Sequence, residues 1–227
     1  MYVLDIETRG DKRLLETYLD NIQAPKNIKD PDKIEAYIVK AKEEANKGMA
    51  TDADYCEIIC IGVKEAGKPG VQMNIQEFAT WLASDYDAGH GATGKNIFRK
   101  MITFNGKQFD IPVIIRAGIK AGIQMPYQLL VNMCDKYKAK NHIDLMQELS
   151  VGYGNYKSLD KYAQIYLEAK KESIDFNTAS EEEIRKHNLE DLELTAKLFN
   201  KFRPLFIWEG IKLPDDIKLE DNKITTM

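Results

Sequence analysis

The segment Tyr2-Val3-Leu4-Asp5-Ile6-Glu7-Thr8 sets two carboxylates two residues apart inside an apolar, β-branched run. Such a run reads as a strand. Because a strand alternates its faces, Asp5 and Glu7 point the same way with Val3, while Leu4 and Ile6 point the other way. Neighbouring buried carboxylates repel, so they either share a proton or bind a cation, and oxygen-only ligands favour a hard ion such as Mg²⁺ or Mn²⁺. A chain that opens in this manner needs further ligands elsewhere.

The chain has 227 residues, 44% hydrophobic and 30% charged, which is the make-up of one ordinary domain with a sizeable core, here residues 1–227. No apolar run approaches the roughly 18 residues that span a bilayer. Met1 leads into the strand without a basic leader or cleavage site, so no membrane partner and a cytoplasmic location are expected. Cys56, Cys60 and Cys134 form no CxxC pair and read as buried, reduced thiols. Net charge is −4, yet Lys95 to Lys161 holds eleven Lys and Arg against five Asp and Glu. That local excess suits either a basic face or a lysine-rich solvated surface.

Residues 9–54 are polar and carry no strand pattern. Ile34, Tyr37, Ile38, Ala41 and Ala45 recur at helical spacing, with Asp30 or Asp32 as cap and Pro31 in the first turn. We read 9–54 as an inserted, partly helical excursion from the core. Strand signals resume over Glu57–Val63 and, after the Gly67–Gly70 turn, near Val71–Asn74, which predicts an antiparallel pair. A helix follows from Ile75 to Leu82. Met101–Phe104 reads as a strand leading into a helix through Ile111, Ile114 and Ile115. His142-Ile143-Asp144-Leu145 is a short apolar element before another helix, Ser158 caps Leu159–Leu167, and a long helix runs from about Ser180 to Phe202. Residues 203–227 form a C-terminal extension. Strands alternating with helices after an initial meander predict a mixed α/β sheet.

Two more segments offer ligands. In Ile102-Thr103-Phe104-Asn105-Gly106-Lys107-Gln108-Phe109-Asp110, a strand ends in a turn and an aspartate opens the next helix. Active sites collect at such strand ends, although Asp110 would also serve there as a simple helix N-terminal charge. In the last helix His187 and Asp191 are i and i+4 and share a face with Ile184, Leu194 and Leu198. An aspartate among core residues is costly unless paired or metal-bound, and a satisfied His–Asp pair is the competing reading. Glu190 and Glu193 lie on other faces.

Taken in order, Asp5-Ile6-Glu7-Thr8, Asn105-Gly106 with Phe109-Asp110, and His187 with Asp191 resemble the DEDD (DnaQ-like) 3′–5′ exonuclease superfamily, of the DEDDh type because a histidine is present. His142-Ile143-Asp144-Leu145, with Ser158-Leu159-Asp160, is similar to predicted exonucleases related to the B-family DNA polymerase proofreading domain. Two departures stand out: the 9–54 excursion exceeds compact members, and B-family proofreading domains usually carry tyrosine where His187 stands. The resemblance implies a ribonuclease H-like fold with a mixed five-stranded sheet flanked by helices.

It also implies a chemistry. Two Mg²⁺ (or Mn²⁺) ions would assist attack of water on the terminal phosphodiester of single-stranded DNA or a DNA 3′ end, releasing nucleoside 5′-monophosphates. On this reading Asp5 bridges both ions, Glu7 and Asp191 hold the nucleophile-side ion, and Asp110 supports the other. His187 accepts the proton of the attacking water, a task suited to an imidazole with an ordinary pKa near 6.5. Thr8, Asn105 and Phe109 are the candidate contacts of the terminal nucleotide, Phe109 also serving as a core residue. Lys107, Lys136, Lys138 and Lys140 are candidate phosphate contacts or plain surface charges. No polymerase sequence follows, so the expectation is a proofreading or DNA-repair activity acting alone or in trans with a polymerase or other replication protein.

The rival readings are an exoribonuclease with the same site, since no motif reads the 2′-hydroxyl, and a catalytically silent nucleic-acid-binding subunit. Gly89 to Asn96 imitates a phosphate-binding P-loop until Asn96 replaces the metal-binding hydroxyl, and no hydrophobic strand precedes it. It reads as a loop.

Overall fold

A computed structural model describes residues 1–89, 100–135, 141–150, 155–170, 174–176 and 178–203. Most of the Gly-rich loop, Lys136, Lys138, Lys140 and the extension beyond residue 203 lie outside the described residues.

Five strands among the described residues form one mixed sheet, in the order β3-β2-β1-β4-β5. They are β1 (Tyr2–Gly10), β2 (Cys56–Glu65), β3 (Gly70–Met73), β4 (Met101–Thr103) and β5 (His142–Asp144). β2 pairs antiparallel with β1 and with β3, whereas β1 pairs parallel with β4 and β4 with β5. Only β2 therefore runs against the rest. The antiparallel β1–β2 pair, the parallel extension and the flanking helices are the expected ribonuclease H-like arrangement.

The alternation in β1 sorts the core into two layers. Tyr2, Leu4 and Ile6 pack with α4 (Ile75–Gly89), α5 (Asp110–Ala121) and α6 (Tyr127–Met133) through Phe78, Leu82, Ile111, Ile114 and Leu130. Val3 faces the other side, with Ile102, Leu145 of α7 (Leu145–Leu149), Tyr162 of α8 (Leu159–Leu167) and Leu192 and Leu198 of α9 (Glu181–Phe202). Asp5 and Glu7 share the parity of Val3 and so point towards α9. A capping box between Ser180 and Glu183 fixes where α9 begins. Cys56 and Cys60 are buried free thiols, pushed up to about 11 and about 12 by burial, which keeps them protonated and inert.

The insertion is more helical than its periodicity predicts, and differently anchored. After a 3₁₀ turn at Lys12–Leu14 come α1 (Leu15–Asp20), α2 (Pro31–Glu43) and α3 (Ala45–Ala50). Asp30 caps α2 and Pro31 opens it, as expected. The apolar stripe of α2 does not enter the core, however: no residue of α2 is buried, and Tyr37 and Val39 are exposed. The helix breaks at Glu44, and α3 docks instead through Ala45 and Met49, the latter fully buried. Met49→Ala is therefore expected to lower unfolding stability in urea by about 2–5 kcal/mol, as for other buried large-to-small changes. Val39→Ala should stay within about 0.5 kcal/mol of wild type; equal losses at the two positions would refute this anchoring.

Candidate active site

Asp5 lies opposite Gly62 in the β1–β2 register, and the pairing slips between Glu7 and Thr8, where β2 carries the extra residue Ile59. Bulges of this kind re-aim side chains beside functional sites. Arg185 of α9 donates to the Ile59 carbonyl (3.2 Å), so the bulge is tied to the helix that covers it. Glu7 is buried, with Cys60 opposite it on β2.

α9 approaches this part of the sheet closely because position 62 is glycine. A Cβ there would collide with Asn188 Oδ1 and Leu192 Cδ1. Asn188 is fully buried and donates from Nδ2 to Asp5 Oδ2 at 2.8 Å. Its own Oδ1 accepts from Gln72 Nε2 at 3.0 Å, and the same Gln72 amide donates to the Arg185 carbonyl at 2.7 Å. Both Asn188 and Gln72 escape a reading of the sequence, though Asn188 sits four residues from Ile184 and from Leu192 on a buried stripe that continues to Thr195, Leu198 and Phe199. The inward face of α9 is thus turned by one position from the one predicted. His187 and Asp191 flank it rather than lie in it, half-buried, with His187 Nε2 3.9 Å from Asp191 Oδ2. Phe176 meets the His187 ring edge-on at 5.3 Å.

Asp110 enters from the opposite side, at the first turn of α5. The turn before it is held by a buried polar network. Asp144, fully buried, accepts from the backbone N–H groups of Asn105 (2.9 Å), Lys107 (3.0 Å) and Met146 (3.1 Å). His142 bridges the Met133 carbonyl and Thr103 Oγ1, each at 2.8 Å, and Thr103 Oγ1 accepts from Gly106 N–H at 3.1 Å. Gly106 must lack a side chain, since a Cβ would overlap Thr103. Asn105 takes a left-handed conformation, φ 68°, and its Oδ1 is buried with no hydrogen-bond partner among the described residues.

The four carboxylates act on one another. Burial and the charges of Asp110, Glu7 and Asp191 push the Asp5 carboxyl well above its ordinary range, and the Asn188 hydrogen bond opposes them. Burial, with a contribution from Asp144, pushes Asp110 up to about 7, against hydrogen bonds from its own backbone and that of Ile6. Glu7, His187 and Asp191 form the tightest group, each offering a ligand atom within 4.8 Å of the others. Oxygen-rich, mutually repelling and half-closed, this donor set fits divalent cations of the hard class. Asp5, Glu7, Asp110 and Asp191 are the residues that would hold them.

A cleft of about 660 Å³ opens from Glu7. Thr8 and Phe109 line it, whereas Asn105 and Lys107 do not. Burial pushes the Glu148 carboxyl above its ordinary range, and the charge of Lys107 opposes that rise. Thr8 Oγ1 donates to the Ala50 carbonyl at 2.7 Å, tying the cleft floor to α3.

Residues 92–178 match a family described as predicted 3′–5′ exonucleases related to the exonuclease domain of PolB. The matched span holds Asp110 and the network of Thr103, His142 and Asp144; β1 and α9 flank it. The family B DNA polymerase from the hyperthermophilic archaeon Pyrobaculum calidifontis is similar in structure, with TM-score 0.49 and 13% identity over 89% of this chain and 24% of the polymerase. The chain thus spans about a quarter of that polymerase's length. No curated protein sequence matches significantly. No helix among the described residues is long and apolar enough to cross a membrane.

The raised Asp110 carboxyl has a consequence for metal-free protein. The folded chain holds a proton there that an ordinary carboxyl, near 3.8 when unfolded, releases. Its contribution to stability is most favourable below that range and is lost as pH climbs from about 4 to about 7. In EDTA, Asp110→Asn should therefore gain in unfolding midpoint relative to wild type across that window and level off above it. A difference independent of pH would contradict this electrostatic picture.

Proposed function

We propose that the chain is a metal-dependent 3′–5′ exonuclease of the DEDDh type, removing 5′-mononucleotides from DNA 3′ ends. The observation that carries the reading is the convergence of Asp5, Glu7, Asp110 and Asp191, with His187 beside them, in a cluster whose Glu7 lines a cleft. The exonuclease-family match over 92–178 supports it independently.

Two Mg²⁺ or Mn²⁺ ions, when bound by the four carboxylates, would lower the pKa of the attacking water and stabilise the leaving 3′ oxygen. Asp5, whose carboxyl feels the charges of the other three acids, would serve both ions; Glu7 and Asp191 would serve the nucleophile side and Asp110 the leaving-group side. His187 takes the proton from the water as its oxygen attacks the terminal phosphorus, and Asp191, one turn on, steadies the resulting imidazolium. The P–O bond to the penultimate 3′ oxygen breaks, leaving a 3′-hydroxyl strand and a 5′-monophosphate. Thr8 and Phe109 line the space next to Glu7 and are assigned to the terminal nucleotide.

With 5′-labelled single-stranded DNA and Mg²⁺, wild-type protein should yield a ladder shortening from the 3′ end, abolished by EDTA and by Asp5→Ala. His187→Ala should keep the ladder at a rate roughly 10²–10⁴-fold lower, since a base is lost and no assigned ligand. Cleavage that survives EDTA or Asp5→Ala would overturn the two-metal reading. Degradation of labelled RNA in preference to DNA would make the enzyme an exoribonuclease, and tight binding without cleavage a silent subunit.

A further inference from the structure

The insertion supplies one wall of the cleft that contains Glu7. Asn46, Lys47 and Thr51, in and just after α3, line it together with Lys12 of the 3₁₀ turn. This wall is firmly held: α3 buries Ala45 and Met49, and its Ala50 carbonyl receives the Thr8 hydroxyl. Across the cleft stand Phe109, Phe176 and Ile184.

The charges are allocated in a telling way. Nearby arginines are committed within the fold: Arg9 to Glu57, Arg13 to Asp11 through both carboxylate oxygens, Arg116 to Asp54 and Arg185 to Glu181. Lys12 and Lys47 are exposed and form no ion pair among the described residues. Of the acids on the cleft, Glu7 belongs to the carboxylate site, Glu181 is neutralised by Arg185, and Asp175, next to Phe176 on the far wall, accepts from the Thr178 hydroxyl at 3.3 Å. The insertion side is left with a cationic edge, facing a wall whose rings and aliphatic groups are interrupted by Asp175 and the paired Glu181; cations beside rings are the combination by which proteins hold single strands, phosphates along the charge and bases against the rings. A volume of about 660 Å³ is that of a pocket for a compact organic ligand, room enough for a terminal nucleotide and part of its neighbour.

The geometry points to the 9–54 insertion as the outer jaw of a single-strand cleft, in which Lys12 and Lys47 hold backbone phosphates of the strand whose 3′ end reaches Glu7. This rests on the exonuclease reading of the carboxylate site. The expected substrate is a single-stranded 3′ end rather than a blunt duplex.

The test is binding of a 5′-fluorescent oligothymidylate in Ca²⁺, followed by anisotropy over a salt series, for wild type and a Lys12→Gln/Lys47→Gln variant. Neutralising two phosphate contacts should weaken binding roughly tenfold and flatten the slope of log K against log[salt] by roughly 1.4, at about 0.7 per single-strand phosphate. Unchanged unfolding midpoints would show that the variant folds. In Mg²⁺, the variant's loss of kcat/KM on the oligonucleotide should exceed its loss on a nucleoside 5′-(p-nitrophenyl phosphate), which lacks upstream nucleotides, by a similar factor. Equal affinity and slope for variant and wild type, or equal losses on the two substrates, would overturn the jaw. Wild-type protein that binds with the steeper slope yet leaves the ester intact would overturn the exonuclease reading while the jaw stands.

Discussion

A single hydrogen bond, from Asn188 on the last helix to Asp5 on the first strand, ties together the parts of this molecule that matter for chemistry. It exists because Gly62, paired with Asp5, leaves room for the helix to approach. The same approach sets His187 and Asp191, one residue and three residues from Asn188, at the edge of the buried stripe and beside Glu7. Gln72 completes the arrangement by fixing the Asn188 amide from β3. A donor is what a crowded carboxylate needs. With burial and the charges of Asp110, Glu7 and Asp191 all pressing Asp5 towards its neutral form, Asn188 is the neighbour that favours the charged form, the one able to bind a cation.

The other half of the site rests on a separate support. Asp110 is aimed by a turn whose backbone N–H groups are gathered by Asp144, with His142 and Thr103 closing the adjoining network. These groups are buried and satisfied, which makes the turn stiff. Two independent frames, one on α9 and one on β5, thus hold acids that repel each other. The electrostatic strain is stored in the folded state and is relieved by proton or cation binding.

Much of this was legible in the sequence, and the reasons differ by residue. Asp5 and Glu7 stand out because a strand repeats every two residues, and His187 with Asp191 because a helix brings i and i+4 together. The mixed character of the sheet follows from a meander succeeded by strand-helix alternation. Asn188 and Gln72 were illegible: a buried amide carries no pattern of its own, and its partners are 183 and 116 residues away. Asp144 appeared within a familiar short run, but its task of capping a distant turn depends on β5 lying beside β4. The insertion misled through α2, whose apolar periodicity is that of a docked helix while the docking belongs to α3. Its lysines, isolated in a segment without a motif, acquire meaning only from the cleft they border.

The central claim is that the four carboxylates form a binding site for a pair of divalent cations, with Asn188 supporting Asp5. Titration of metal-free protein with Mn²⁺ at pH 8, followed by calorimetry and electron paramagnetic resonance, tests it directly. Wild type should take up two ions per chain, Asp5→Asn should lose the paired signal, and Asn188→Ala should bind roughly 10–100-fold more weakly, the scale for removing a group that orients a ligand. Uptake in Asp5→Asn equal to wild type, or no uptake at all, would contradict it.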